Sequence, residues 1–197
     1  MGAAADCEVI GAGFLGQPIN ALTTLGFVVT GIIVIVRRGD IRWVGIGLVA
    51  TGIGSLLFHG PMSPGNEWAH DVTLAWLVTM VAGWGTLWER FSRLPALLII
   101  GAAFAVVPVI ADPFAAVMTA TAVISILRRD RSAATVAPLV LLAAVAVFGR
   151  LGATGGPLCD PEALFQPHAV WHLGSAIAVT WWALGSAVPG QLPRGSR

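Results

Sequence analysis

The sequence predicts an all-α integral membrane protein, a seven-helix transmembrane bundle with its N-terminus outside and its C-terminus in the cytoplasm. Of 197 residues, 56% are hydrophobic and only 11% are charged, and the mean hydropathy is +0.83. Because a soluble domain carries about 25% charged residues, this chain has too little polar surface to cover a water-soluble globule. The net charge is +1, with no basic run and no glycine-rich phosphate loop, which argues against nucleic acid and nucleotides as partners.

Seven apolar segments are candidates for membrane-crossing helices. A helix that crosses the hydrocarbon needs about 20 mostly apolar residues, with a range of roughly 17 to 25. The fifth segment, at 113–127, is short, and the tight turn at 111–113 lets its helix start a little before residue 113. Residues 1–188 are therefore interpreted as one membrane domain, followed by a short cytoplasmic tail at 189–197. The predicted spans are 18–36, 43–60, 68–88, 94–111, 113–127, 134–151 and 167–188.

The arginines determine the predicted orientation. All 11 basic residues are arginines, and basic residues concentrate in cytoplasmic loops. Ten of them fall in alternate loops and in the tail: Arg37, Arg38, Arg42, Arg90, Arg93, Arg128, Arg129, Arg131, Arg194 and Arg197. Arg150 falls on the opposite side, which is predicted to be the outer one. The lysine-free composition, rich in alanine and glycine, favours a bacterial source and hence an inner membrane whose outer side is the periplasm.

The two cysteines are both predicted on the outer side. Cys7 precedes the first span, and Cys159 lies in the loop before the last span. Disulfides persist in an oxidising space such as the periplasm. The shared side favours a Cys7–Cys159 disulfide, and the alternative is two free thiols.

All four histidines and one aspartate are predicted to lie at one depth, near the outer ends of three spans. These residues and a nearby serine are Ser55 and His59 in the second span, His70 and Asp71 in the third, and His168 and His172 in the seventh. Ionisable groups are costly in a bilayer and usually face the bundle interior or a wet cavity. The polar groups are therefore expected to converge on one site near the outer leaflet.

Three of these histidines form a candidate metal site. His168 and His172 are four residues apart, so they project from one face of a helix and can bind a single ion. With His59 they supply three ligands and leave one position open, as in catalytic zinc sites. Neutral imidazole also suits copper, iron or nickel. The alternative is that the histidines form interhelical hydrogen bonds, an interpretation retained for His70.

Two neighbouring side chains could carry out hydrolysis beside such a metal. Asp71 would accept a proton from the attacking water and return it to the leaving group. Ser55 would donate a hydrogen bond to a developing oxyanion. The alternative for Ser55 is a hydrogen bond to its own helix, which is common in membrane spans.

At these positions the chain resembles the alkaline ceramidase family, part of a superfamily of seven-span hydrolases that includes adiponectin-receptor-type proteins. HAVWH at 168–172 resembles that family's HAWWH, and GSLLFHG at 54–60 resembles its GSALFHG-like stretch. Asp71 falls on the family's aspartate early in the third span. Cys7 and Glu8 match a Cys–Glu start, and Cys159 stands where a partner cysteine is expected. The resemblance extends from about residue 7 to residue 185.

The resemblance implies a zinc-dependent amidase that cleaves ceramide or a related N-acyl lipid into a sphingoid base and a fatty acid. The implied zinc ligands are His59, His168 and His172, with Ser55 and Asp71 close to the metal. The family's calcium site near the N-terminus is only partly matched. Glu8 and Asp6 remain, but Gln17 stands where an acid would be expected, which argues against calcium binding.

Two functions remain open at this point. The first is an intramembrane hydrolase acting on a lipid from the outer leaflet. The second is a non-catalytic seven-span receptor or sensor, whose structural metal would be closed by a fourth protein ligand such as His70, Cys159 or Asp71. A proton path ranks below both, because no charged residues continue it toward the cytoplasmic side. Whether the bond is an amide or an ester is left open, as is the participation of three further polar residues, Asn20, Asp160 and Glu162.

Overall fold

The computed structural model describes residues 2–186, and every regular element in that range is helical. The all-α prediction is therefore confirmed. Two short 3₁₀ turns occur at Ala3–Ala5 and Pro108–Ile110. The eight α-helices are α1 Pro18–Thr23, α2 Leu25–Arg37, α3 Arg42–His59, α4 Asn66–Gly83, α5 Leu94–Val106, α6 Ala111–Arg129, α7 Ala133–Leu151 and α8 Pro167–Gly185. The predicted tail at 189–197 and the last two residues of the seventh predicted span lie outside the described residues.

Each predicted segment corresponds to a helix or to a pair of helices, with some different boundaries. The first segment comprises α1 and α2, which meet at Thr24 and together form one apolar stretch, Pro18–Arg37. The third ends at Gly83, five residues before its predicted end, because Gly85 has φ +70°, a left-handed conformation that stops a helix.

The boundary between the fourth and fifth segments was predicted too late. α5 ends at Val106, and Pro108 then starts the 3₁₀ turn. The residue before a proline is disfavoured in the helical region, which explains why the helix does not continue to residue 111. α6 therefore begins at Ala111 and runs to Arg129. The helix that corresponds to the fifth predicted span is thus 19 residues long rather than short.

Among residues 2–186, four helical stretches are long and apolar enough to cross a membrane: Pro18–Arg37, Arg42–His59, Pro108–Arg129 and Ala133–Leu151. Large apolar side chains are also exposed on the outer faces of helices, including Val36, Leu98, Val117 and Val140. A surface of this kind is unfavourable in water and suits a lipid environment. Both observations are consistent with a membrane protein.

Helix α3 is held between α2 and α4 by close backbone contacts. A Cβ atom added at Gly45 would lie 2.8 Å from the carbonyl oxygen of Gly31 in α2, and one added at Gly54 would lie 2.9 Å from that of Ala69 in α4. Small residues allow membrane helices to approach in this way. The packing places the C-terminal turn of α3, with Ser55 and His59, against the first turns of α4.

The bundle has two chemically different ends. At the arginine end, Arg38 Nη1 donates to the carbonyl oxygens of Ala183 and Leu184 at 3.0 Å, and Arg129 donates to the carbonyl oxygen of Trp84. At the histidine end, the last turn of α3 meets the first turns of α4 and α8.

Candidate metal centre

Three histidines converge at the histidine end, as the sequence predicts. His59 is the last residue of α3, and His168 and His172 lie in the first two turns of α8. One ligand atom from each lies within 4.8 Å of the others, and His59 and His172 are 0% and 2% exposed. The three imidazoles are therefore close enough to hold one metal ion.

Each of the three rings has its Nδ1 atom engaged by a neighbour. His59 Nδ1 lies 2.7 Å from Gln17 Oε1, and His168 Nδ1 lies 3.3 Å from Asp6 Oδ1. His172 Nδ1 lies 3.2 Å from the carbonyl oxygen of Asn20 and 3.2 Å from Thr23 Oγ1. Metal-ligating histidines usually donate their second N–H in this manner, which sets the tautomer and the orientation of the ring.

The opposite ring nitrogens are available to a metal. Nε2 of His59 and Nε2 of His168 are buried, and neither has a hydrogen-bond partner among the described residues. A buried polar atom without a partner costs free energy, and a shared metal ion would satisfy these atoms together. The donor set therefore fits a metal that accepts imidazole nitrogen.

Gln17 determines the tautomer of His59. Its Nε2 donates to the carbonyl oxygens of Ala3 at 2.8 Å and Glu8 at 2.9 Å, so its Oε1 is the atom directed at the ring. An amide oxygen only accepts, and His59 Nδ1 must therefore carry the hydrogen. Sequence reasoning treated Gln17 only as a missing acid. Its role depends on a contact across 42 residues, for which the sequence carries no local signal.

A disulfide and a hydrogen bond hold the N-terminal segment next to the three histidines. The structure joins Cys7 and Cys159 in a disulfide with a Cα–Cα distance of 5.6 Å, in agreement with the favoured pairing. The Cys7 N–H also donates to Thr154 Oγ1 at 3.0 Å. Burial raises the pKa of Asp6 to about 6, opposed by the charge of His70. Its Oδ1 lies 3.3 Å from His168 Nδ1 and can accept a hydrogen bond from that ring.

Three other predicted candidates, Glu8, Asp160 and Glu162, are outside the three-histidine group found among the described residues. Glu8 accepts the N–H groups of Ile19 at 2.7 Å and Asn20 at 2.8 Å, so its carboxylate caps the start of α1. Asp160 and Glu162 lie exposed in the loop before α8. The side-chain amide of Asn20 is fully buried, and neither of its polar atoms has a partner in the described range 2–186.

The other two predicted site residues occupy different positions relative to an adjacent cavity. Ser55 is 1% exposed and lines the cavity together with His70 and His172. Within residues 2–186, Asp71 is not part of the cavity lining; its Oδ1 lies 2.9 Å from His70 Nδ1 instead. His70 is stacked on Phe58 with ring centroids 4.8 Å apart. The structure therefore places His70 at the cavity wall and Asp71 outside the cavity lining, paired with His70.

The cavity has a volume of about 470 Å³ and is mostly apolar. It extends along α8 from His172 to Trp182, about 15 Å at the helical rise per residue. Leu74, Leu142 and Val179 are among its apolar lining residues. An apolar cavity of this size with a few polar groups at one end is typical of a small-molecule site.

Comparisons with protein-family models, with curated proteins and with solved structures give no match. The resemblance seen in the motifs therefore stays a prediction. The chemistry assigned below rests on the residues and contacts of this chain.

We predict that Gln17→Leu weakens metal binding about 10- to 100-fold, because second-sphere partners of ligating histidines contribute on this scale. Leucine has a similar size but cannot accept from His59 Nδ1, so the ring loses its fixed tautomer. Zinc affinity should be measured by competition with a chromophoric chelator. The matched control is Gln166→Leu, which removes another buried amide that bonds only to loop carbonyls. Equal loss in both variants would contradict an orienting role for Gln17.

Proposed function

We propose that this chain is a zinc-dependent intramembrane hydrolase that cleaves the amide bond of ceramide or a related N-acyl lipid. One observation carries the proposal: three clustered histidines, each with Nδ1 engaged, lie beside an apolar cavity that one of them, His172, lines. The polar end provides groups for hydrolysis, and the apolar remainder provides space for an acyl chain. A lipid amide has both parts.

Zinc is the metal that suits this site best. Catalytic zinc sites use three protein ligands and keep a position for substrate. Two residues that could close a structural site are not placed to do so: Cys159 is in the disulfide, and His70 is outside the group of three histidines whose ligand atoms lie within 4.8 Å of one another. When bound by His59, His168 and His172, zinc would act as a Lewis acid toward the substrate carbonyl.

Ser55 is positioned to interact with the substrate. Five residues before the C-cap of α3, it faces the cavity that His172 also lines. Among the described residues it makes no side-chain hydrogen bond, whereas Thr73 and Ser175 bond back to their own helices. This difference supports a hydroxyl that donates to the oxyanion that develops during amide cleavage.

The proton transfer is assigned to Asp71 acting together with His70. Asp71 Oδ1 is paired with Nδ1 of His70 at 2.9 Å. This leaves Nε2 of the His70 ring as the atom able to take a proton. His70 would accept the proton of the attacking water and return it to the leaving amine, with Asp71 stabilising the charged ring. In this assignment the carboxylate predicted as the base acts through the histidine that precedes it.

The proposed topology has seven spans, with the histidine end outside. α4 and α8 have 18 and 19 residues, about 27 and 28 Å long, close to the roughly 30 Å of a hydrocarbon core. Their histidines and other polar residues lower their hydropathy, and these residues belong to the site. The arginines favour a cytoplasmic location for their end, which directs the metal centre toward the periplasmic leaflet of a bacterial inner membrane.

The test is hydrolysis by the purified protein in lipid nanodiscs. We expect zinc-loaded protein to release fatty acid from ceramide, detected by mass spectrometry, and chelator-treated protein to release none until zinc is restored. An ester of the same acyl chain, assayed in parallel, decides which bond is cleaved. Retention of zinc without hydrolysis of any N-acyl lipid would overturn the proposal in favour of a receptor or sensor with a structural metal.

A further inference from the structure

A second cavity lies at the arginine end, on the other side of α4 and α6 from the first. Its volume is about 830 Å³, and α4, α5 and α6 form its walls. Both α5 and α6 pack on α4, and the 3₁₀ turn Pro108–Ile110 connects them. We call this cavity the α5–α6 groove.

The groove is apolar along its length and cationic at one end. Ile99, Phe114 and Met118 line the apolar part, and Arg128 and Arg129 line the other end. From Phe114 to Arg129 the wall formed by α6 is 15 residues long, about 22 Å. An elongated apolar molecule with a negatively charged head would match this distribution.

The two arginines at the cationic end differ in their bonding. Arg129 is held in place: it donates to the carbonyl oxygens of Trp84 and Ser125 and to Ser125 Oγ, and its guanidinium lies 5.4 Å from the centroid of the Trp84 ring. Arg128 has no hydrogen bond or ion pair to any residue in the described range 2–186. Its guanidinium N–H groups are therefore available to a ligand.

The nearby acids have other partners. Glu89 accepts from the Gly85 N–H at 2.9 Å and from Arg93 at 2.8 Å. Asp130 accepts from the Ser132 N–H at 2.8 Å and from the Thr135 hydroxyl. Neither carboxylate is paired with Arg128 in the described structure, so the groove retains a positive end.

Two exposed aromatic residues indicate where the cationic end of the groove lies relative to the membrane surface. Trp88 and Phe91 line the groove and are 69% and 47% exposed. Tryptophan is enriched at the membrane–water interface, where lipid phosphates lie. The arginines beside it are thus placed at the level of the headgroups, and the apolar part of the groove lies at the level of the acyl chains.

We propose that the α5–α6 groove binds one anionic glycerophospholipid, with its phosphate on Arg128 and an acyl chain along α6 toward Phe114. Guanidinium groups recognise phosphate through paired hydrogen bonds, and basic pockets between membrane helices bind acidic headgroups. The site is separate from the metal centre, and the inference does not depend on hydrolysis.

The experiment is native mass spectrometry of the full-length protein titrated with phosphatidylglycerol or with phosphatidylcholine of the same acyl chains. Wild-type protein should retain one phosphatidylglycerol, and Arg128→Gln should weaken that binding about fivefold. Arg131→Gln is the matched control, because Arg131 lies at the same helix end and bonds to the Leu127 carbonyl oxygen. The control variant should bind as the wild type does.

A second variant tests the apolar part. Met118→Trp fills the groove without changing charge and should reduce binding of both lipids, with the melting temperature reported as a check on folding.

Equal retention of the two lipids by wild-type protein would overturn the proposal. Equal loss in Arg128→Gln and Arg131→Gln would also overturn it, since general surface charge would then explain the binding. A dimer whose interface is formed by the α5–α6 groove would also overturn the proposal, because a second copy of this chain and not a lipid would then cover the groove.

Discussion

Replacing His172 by alanine should empty the metal centre and abolish lipid hydrolysis. We expect about one zinc per chain in the wild type, as in sites with three protein ligands, and almost none in the variant. His172 is 2% exposed and its ring is fixed by Thr23 and Asn20, so removing it leaves two imidazoles and a vacant volume. Elemental mass spectrometry of the detergent-purified protein measures the loss directly.

The matched control for this prediction is His70→Ala. His70 lies near the cluster, with its ring centroid 6.4 Å from that of His59, but it is outside the three-histidine group. The control should therefore retain its zinc. A well-folded wild type that holds no transition metal and refuses added zinc would contradict the metal site, and the histidines would then be interhelical hydrogen-bonding residues.

The second large effect is expected from the pair formed by Asp71 and His70. Asp71→Asn and His70→Ala should each lower kcat about 10²- to 10⁴-fold, the usual contribution of a positioned acid–base group, with zinc content unchanged. Asparagine preserves the shape but removes the negative charge that stabilises a protonated His70. KM should change little, because binding of the acyl chain is assigned to the apolar part of the cavity and not to these two polar residues.

A control on the same helix separates catalysis from packing. Thr79→Val removes a hydroxyl of α4 that bonds only to the Ala75 carbonyl oxygen and should leave kcat unchanged. An inactive Asp71→Asn together with a fully active His70→Ala would contradict the shared role, and Asp71 would then act on the reacting groups without the histidine. Loss of zinc in either variant would also contradict it.

Sequence reasoning was sufficient to predict the three-histidine cluster. His168 and His172 share a helix face because they are four residues apart, and this spacing needs no tertiary information. His59 was predicted to lie at the same depth in the membrane as these two histidines, since helices of similar length begin and end at the same membrane surfaces. Its contact with the other two rings, at centroid distances of 5.0 and 5.1 Å, agrees with that argument.

The same kind of reasoning failed where helix ends depended on details of the backbone. The predicted third span passed Gly83 because the residues that follow are apolar, including Trp84 and Leu87. Hydropathy does not report the φ of +70° at Gly85 that ends the helix. The predicted fourth span likewise continued past the proline that ends α5.

Composition and helical periodicity by themselves determined the all-helical class, the apolar character of the segments and the shared helix face of His168 and His172, because these properties depend on residues within a few turns of one another. Only the tertiary structure decided which nitrogen of each ring is engaged by a neighbour, and that His70 lines the cavity while Asp71 does not. Asp6, Gln17 and Thr23 reach their histidines across 42 to 162 residues. Contacts at such separations depend on how the helices pack, so no local spacing in the sequence can encode them.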